Sequence, residues 1–281
     1  MSCDADFFDQ AVAAIGTVRR AHAQLPDYEM DLAFVAINLR GDQLDWLREQ
    51  GIQVHDRLGD FPRFKDAPDH AYALSCRPYV PWILPEYDGY LWVDSDIRFL
   101  SPRGLECYLA LLSDPDVSIT AVQETEAAYC VHTDAPRAKA YHAARVHRMA
   151  QVYGAEVVQY CQYYTPFNAG LFAARADSPI WARYRRNLGK ALNVPFDGML
   201  EQDALNVSMQ EVGGWHRAPS VMNWLCSLRM PTKADDGTWR HPDEPFREVF
   251  VAHLTNSSMP VILPEGPGTL HDMYRSVGLT V

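Results

Sequence analysis

The sequence predicts an α/β sandwich built as a single domain around a mixed central sheet. Short apolar runs bounded by turn residues alternate with amphipathic segments along the chain, the pattern of strands covered by helices. With 281 residues and 48% hydrophobic content, the chain can also bury a substantial core. No internal repeat or low-complexity tract breaks the alternation.

Taken in order, residues 7–23 read as a helix and 32–38 as a strand. Residues 42–50 follow as a helix capped near Gly51, and 52–55 as another strand. Residues 57–70, with two prolines and mixed charge, read as a loop, and 77–84 as a short, proline-interrupted helix. A strand at residue 90, a helix over 102–112 opened by Pro102 and a strand over 117–122 complete a βα-repeated half, residues 1–122, suited to a nucleotide. The other half, 123–281, is less regular. It carries helices at 136–153, 179–192 and 200–212, and strands at 169–174 and 248–253. Two polar, proline-containing stretches, 231–246 and 255–270, have the length of lids or acceptor loops, or of ordinary surface loops.

The densest chemistry lies in residues 90–100, YLWVDSDIRFL. Tyr90, Leu91, Trp92 and Val93 form a continuous apolar run after the Asp88-Gly89 turn, as in a strand buried on both faces. Side chains alternate along a strand, so Asp94 and Asp96 point the same way wherever strand geometry persists. They then make an acidic cluster at the carboxyl end of the strand, where open α/β sheets bind ligands. Two adjacent anions repel unless a cation sits between them, and a hard divalent ion with oxygen ligands is the usual answer. The bland alternative is a solvated turn in which Asp96 pairs with Arg98.

Composition narrows the classes. The formal charge is -11, and no Lys/Arg cluster offsets it, which argues against a general nucleic-acid surface. Cys3, Cys76, Cys107, Cys130, Cys161 and Cys226 show neither CxxC nor zinc-like spacing and read as reduced thiols. The acidic start MSCDADFFDQ has no apolar signal core, and no stretch approaches the roughly 18 apolar residues of a spanning helix. A cytoplasmic protein without a transmembrane segment is the expectation.

Four further segments fall in a meaningful order around the Asp-x-Asp strand. Arg77 lies in the helix ahead of LWVDSD; Phe167-Asn168-Ala169-Gly170-Leu171-Phe172 begins a later strand. Glu201-Gln202-Asp203-Ala204-Leu205-Asn206 opens a helix, and Phe250-Val251-Ala252-His253 ends the last strand. Over residues 3–260 this order resembles nucleotide-sugar glycosyltransferases of the GT-A fold, and within them the retaining family eight, which carries Asn-Ala-Gly and D-Q-D-x-x-N at these places. The resemblance implies a Rossmann-like GT-A αβα sandwich that transfers a hexose from a nucleotide sugar, uridine diphosphate-linked, to a glycan, lipid-linked or protein acceptor, with retention.

The same resemblance implies roles. Asp94, Asp96 and His253 hold a divalent ion, with Asp94 shared with the ribose; an imidazole ligand favours manganese, with magnesium as the second candidate. Asp4 recognises the base and Phe7 stacks on it. Asn168 holds a donor hydroxyl, Glu201 takes the place of the Asp that binds donor hydroxyls, and Gln202 lies beside the anomeric carbon. Whether Gln202 or Asp203 assists the reacting face stays open, and helix-dipole placement alone also explains acids there. In the family the late histidine is followed by Gly and then Lys-Pro-Trp, whereas Asn256 and Met259-Pro260-Val261 stand here. The lysine that clamps the diphosphate is therefore missing, and Arg77, Lys233 and Arg275 are candidates to replace it.

Other readings compete at particular residues. The basic helix around Lys139, His142, Arg145 and Arg148 reads as a solvated face, an anionic-acceptor site or a membrane-facing surface. Trp215, Asn223 and Trp224 suggest a sugar-stacking cleft or core packing. From another class, a haloacid-dehalogenase phosphohydrolase also ends a strand in Asp-x-Asp, the first as nucleophile. It opens its domain with that motif and wants Thr or Val where Arg98 stands, so the order is wrong. A non-catalytic nucleotide-sugar or glycan-binding protein is the third reading.

Overall fold

The computed structural model describes residues 1–125, 128–129, 135–161 and 163–254. Its strands are β1 (Ser2–Asp4), β2 (Ala33–Ile37), β3 (Gln53–His55), β4 (Gly89–Val93), β5 (Ile97–Phe99), β6 (Ile119–Gln123), β7 (Phe167–Arg175), β8 (Trp215–Ala218), β9 (Trp224–Leu225), β10 (Thr232–Lys233), β11 (Trp239–Arg240) and β12 (Val251–His253). Its helices are α1 (Phe8–His22), α2 (Gly41–Glu49), α3 (Tyr72–Ser75), α4 (Val80–Ile83), α5 (Pro102–Leu111), α6 (Ala135–Tyr153), α7 (Ala155–Cys161), α8 (Ile180–Ala191) and α9 (Leu200–Val212). None is long and apolar enough to cross a membrane.

Parallel strands β1-β2-β3 form one sheet, and β4-β7-β6-β8 a second, mixed one in which β7 runs antiparallel to both neighbours. Eight of the nine β7 residues are buried, which explains its unbroken run of small and apolar side chains. Alternation along the strands feeds two cores. Trp92 and Phe172 pack toward Trp181, Tyr184 and Leu205 of α8 and α9, while Val93 and Leu171 pack with Val18, Leu105 and Tyr108 of α1 and α5. Each such large apolar side chain contributes about 1.5–3 kcal/mol on burial. The result is the αβα layering expected from the sequence.

Several expectations shift. Residues 77–84 fold as a 3₁₀ turn at Arg77–Tyr79 followed by the single turn α4, because Pro78 and Pro81 remove amide donors. The short elements β5, α7, β8 and β9 escaped the sequence reading because two to seven residues carry too little periodicity. Stretch 231–246 is partly a hairpin, with β10 antiparallel to β11, whereas 255–270 lies outside the described residues. Cys3, Cys76, Cys161 and Cys226 are buried free thiols, Cys107 is exposed, and Cys130 lies outside the described residues.

A cavity of ≈ 980 Å³ lies along the amino-terminal half of β2 and the length of β4, with Met1 at its wall. Asp94, Asp96, Glu201, Gln202 and His253 are all absent from its lining, so it is separate from the acidic cluster.

Candidate active site

Strand β4 stops at Val93, and residues 94–97 turn back on themselves through Ile97 N donating to Asp94 O at 3.1 Å. The carboxylates of Asp94 and Asp96 therefore meet through a tight turn, not through the strand alternation expected from the sequence. Antiparallel pairing of β12 with β5 puts His253 opposite Ile97. Ligand atoms of Asp94, Asp96 and His253 all fall within 4.8 Å of one another. Next to them, Asp94 N donates to Gly170 O at 2.9 Å.

Gly170 is where these elements converge. A methyl group on it would lie 2.6 Å from His253 Cε1 and 3.1 Å from both Asn168 Oδ1 and Asp94 Oδ2. Only a residue without a side chain allows that approach.

Arg77 is buried beneath the cluster. Its Nη2 donates to Asp94 Oδ1 and Oδ2 at 2.7 and 2.8 Å, and its Nη1 to Glu201 Oε2 at 2.7 Å and Ala169 O at 3.1 Å. Trp92 Nε1 adds a bond to Asp94 Oδ1 at 2.7 Å. Burial works to lower Arg77, but Asp94 and Glu201 outweigh it and raise its pKa. With two carboxylates against it, Arg77 is the internal counter-ion of the site, which weakens its candidacy as a substitute for the missing lysine. Lys233 sits in the exposed strand β10, and Arg275 lies outside the described residues.

Asp96 is less engaged than Asp94: Oδ1 lies 3.3 Å from His253 Nε2. It does not pair with Arg98, whose guanidinium donates to backbone carbonyls instead. Burial pushes Asp96 up, yet His253 holds it below the usual carboxylate range. Reciprocally, burial disfavours the His253 imidazolium but Asp96 raises its pKa. Among the described residues, His253 Nδ1 and Glu201 Oε1 are buried without a hydrogen-bond partner.

Successive residues of a helix turn by 100°, so the start of α9 addresses three different neighbours. Glu201 meets Arg77, and burial pushes its carboxyl up to about 8 against that pull. Gln202 accepts from Ala169 N at 3.2 Å, and Asn206, one turn on, accepts from Phe167 N at 2.6 Å and donates to Phe167 O at 2.9 Å. Asp203 points to α6, where Arg148 Nε lies 2.9 Å and Arg145 Nε 3.5 Å from its oxygens. That geometry places Asp203 in an ion cluster with Arg145 and Arg148, while the Gln202 side chain meets Ala169 and Glu124. It also turns Arg145 inward, so the basic helix is not simply a solvated face.

Glu124, which sequence reasoning missed, joins the set. It directly follows β6 and is 6% exposed. Its Oε1 accepts from Gln202 Nε2 at 3.1 Å and Asn168 Nδ2 at 3.3 Å, and its Oε2 from Tyr141 Oη at 3.3 Å. Burial raises its pKa, with those donors opposing. The available signal was an acid after an apolar strand, the same pattern that marked Asp94. Asn223 Nδ2 donates to Asn168 Oδ1 at 2.9 Å, so both ends of the Asn168 amide are assigned. Trp224 is fully buried edge-on to His241, which makes it core packing, whereas Trp215 is half-buried and packs on Phe167.

Asp4 closes β1 and accepts from Phe7 N at 3.1 Å, leaving Phe7 36% exposed. Neither makes a described bond to the acidic cluster.

The sequence matches no protein-family profile and no curated protein. Solved structures do resemble it. The galactosyltransferase LgtC, in complex with donor and acceptor sugar analogues, aligns over 100% of this chain and 95% of its own, with a TM-score of 0.57 at 17% identity. Mouse xyloside xylosyltransferase 1 covers 92% of this chain and 97% of its own at 0.55 and 15% identity. The bifunctional glycosyltransferase WbbM covers 99% of this chain with 49% of its own length, at 0.59 and 14% identity. The chain thus has the GT-A glycosyltransferase fold and, in that fold, resembles family eight.

Proposed function

We propose that this chain is a metal-dependent hexosyltransferase using a nucleotide-sugar donor, uridine diphosphate-linked, with manganese and with retention of anomeric configuration. The observation that carries the reading is a three-ligand set, Asp94, Asp96 and His253, whose ligand atoms lie within 4.8 Å of one another, with Asp94, His253 and the amide of Asn168 meeting at Gly170. It occurs at the carboxyl end of a strand in a GT-A fold, where such sheets bind ligands.

The residues fit a divalent cation. Two carboxylates and an imidazole suit manganese, and His253 Nε2 faces Asp96 Oδ1 at 3.3 Å, so the two can share an ion. Such an ion would neutralise charge on the departing diphosphate. The protein's own groups hold the sugar. Glu201 Oε1, buried and without a partner among the described residues, can hydrogen-bond a donor hydroxyl, and Asn168 lines the same junction. The Gln202 amide, fixed by Glu124 and Ala169 N, faces the reacting carbon. LgtC has an active-site glutamine, known from its Gln-to-Glu mutant, which supports looking for one here. Asp4 and Phe7 take the base. A front-face transfer, in which the leaving oxygen draws the acceptor proton, needs no strong protein nucleophile. The acceptor is a glycan, lipid-linked or protein hydroxyl.

Thermal-shift screening against nucleotide sugars, with and without manganese, tests the donor assignment, because a ligand of the folded state raises Tm. A manganese-dependent shift with one uridine diphosphate sugar, abolished in Asp96→Ala, is expected. Donor hydrolysis that persists with manganese in Asp96→Ala refutes the cation site. Gln202→Ala should lower turnover far more than donor affinity; a pure loss of binding would move Gln202 to the donor pocket.

A further inference from the structure

Arg98 is a buried cation that none of these roles absorbs. It is 4% exposed in β5, two residues beyond Asp96. Among the described residues no carboxylate lies within ion-pair distance of it, whereas Arg77, similarly buried, has Asp94 and Glu201 at 2.7 Å. Carbonyl oxygens hold Arg98 instead. Its Nη1 donates to Ser95 O at 2.9 Å and to Ile97 O at 2.8 Å, and its Nη2 to Gln10 Oε1 at 2.5 Å.

Those partners belong to two different parts of the site. Ser95 and Ile97 lie in the turn that carries Asp94 and Asp96; Gln10 lies in α1, the helix that follows Asp4 and Phe7. The other carbonyls of the turn are also engaged, Asp94 O by Ile97 N at 3.1 Å and Asp96 O by Leu254 N at 2.9 Å. Without Arg98, Ser95 O would lose the donor that fixes the middle of the turn.

We propose that Arg98 is a positioning residue for the cation site. It clamps the Asp94–Ile97 turn to α1, so the two carboxylates face His253 before an ion arrives, and it ties the cation end of the site to the helix that follows Asp4 and Phe7. The proposal rests on the cation-site reading given above.

Charge and geometry act in opposite directions here, which makes the idea decidable. A positive charge near Asp96 repels an incoming cation, so removing charge alone tightens cation binding. Removing the clamp leaves the ligands less well arranged and weakens it. Manganese binding to the full chain, without nucleotide, is measured by isothermal calorimetry for Arg98→Met, Arg98→Lys, Gln10→Leu and Asp96→Ala, with circular dichroism reporting the fold. Arg98→Met is expected to weaken manganese binding by about 10- to 100-fold, the range found for groups that orient metal ligands. Arg98→Lys should not restore it, because an ammonium lacks the planar fork that spans both carbonyls and Gln10. Gln10→Leu, which keeps the charge but frees the clamp from α1, should weaken binding by a smaller factor.

Unchanged or tighter binding in Arg98→Met, or wild-type behaviour in Arg98→Lys, overturns the proposal. Should Arg98→Met fail to fold, Gln10→Leu decides it, and unchanged affinity there is the refuting result. Wild-type manganese binding in Asp96→Ala would overturn the cation site itself, which the Arg98 variants alone would not do.

Discussion

Replacing Gly170 by alanine adds one methyl group at the point where β7, the Asp94 turn and the end of β12 converge. That methyl would sit 2.6 Å from His253 Cε1, while carbon atoms in contact settle at about 3.5–4.0 Å, so the ring must retreat by roughly 1 Å. Retreat is not free. His253 is 7% exposed, its Nε2 is 3.3 Å from Asp96, and its strand is held between β5 and β9. The other two neighbours, Asn168 Oδ1 and Asp94 Oδ2 at 3.1 Å, are fixed by hydrogen bonds. Overpacking of this kind costs about 1–3 kcal/mol of folding stability. Displacing a ligand ring should cost manganese affinity as well, by about 10- to 100-fold on the scale of misoriented metal ligands. Urea melts and manganese titration of Gly170→Ala measure the two effects. Gly189→Ala is the control: it lies in α8 with nothing within 4 Å of an added methyl, and should be neutral or stabilising by about 0.4–1 kcal/mol. A Gly170→Ala protein with an unaltered urea midpoint and unaltered manganese affinity would refute the packing of His253 against Gly170 and its role as a ligand.

Arg77→Met leaves Asp94 buried without its counter-charge, and urea melts should show a loss of about 3–5 kcal/mol; a loss below about 1 kcal/mol would mean that water or protonation compensates. Asn206→Ala strips the partners of Phe167 N and O at the start of β7, at about 1–3 kcal/mol for each group left unpaired, read from the same melts. Glu201 carries a pH signature. Its carboxyl is raised to about 8 by burial, so the folded state holds a proton that the unfolded state releases, and metal-free stability falls as pH rises from the ordinary carboxylate range to about 8. Glu201→Gln should reduce the slope of that limb of the midpoint-against-pH curve; a slope identical to that of the unsubstituted chain excludes Glu201 as a source.

What could be read without coordinates was local. The apolar run 90–93 with its following acids marks β4 and the acidic pair, and the spacing of Gln202 and Asn206 puts both on the α9 face that contacts β7. Buried β7, too, follows from its continuous run of small and apolar residues. Each of these signals is contained within one turn or one strand, and there backbone geometry maps spacing onto direction.

Convergence is not contained that way. Glu124 reaches Asn168 across 44 residues and Gln202 across 78, and Arg77 reaches Glu201 across 124. Spacing reports which face a side chain occupies but not which other segment folds against it. Thus Asp203 was indistinguishable from Gln202 in the sequence until α6 brought Arg145 and Arg148 to it. The alternative pairing of Arg98 with Asp96 likewise gave way only when its guanidinium turned to carbonyls and Gln10. By itself, the sequence determined which side chains the chain offers for this chemistry and on which elements they ride. Tertiary structure alone decided which of them meet, because burial leaves each charged group stable only beside the partner that the packing happens to bring.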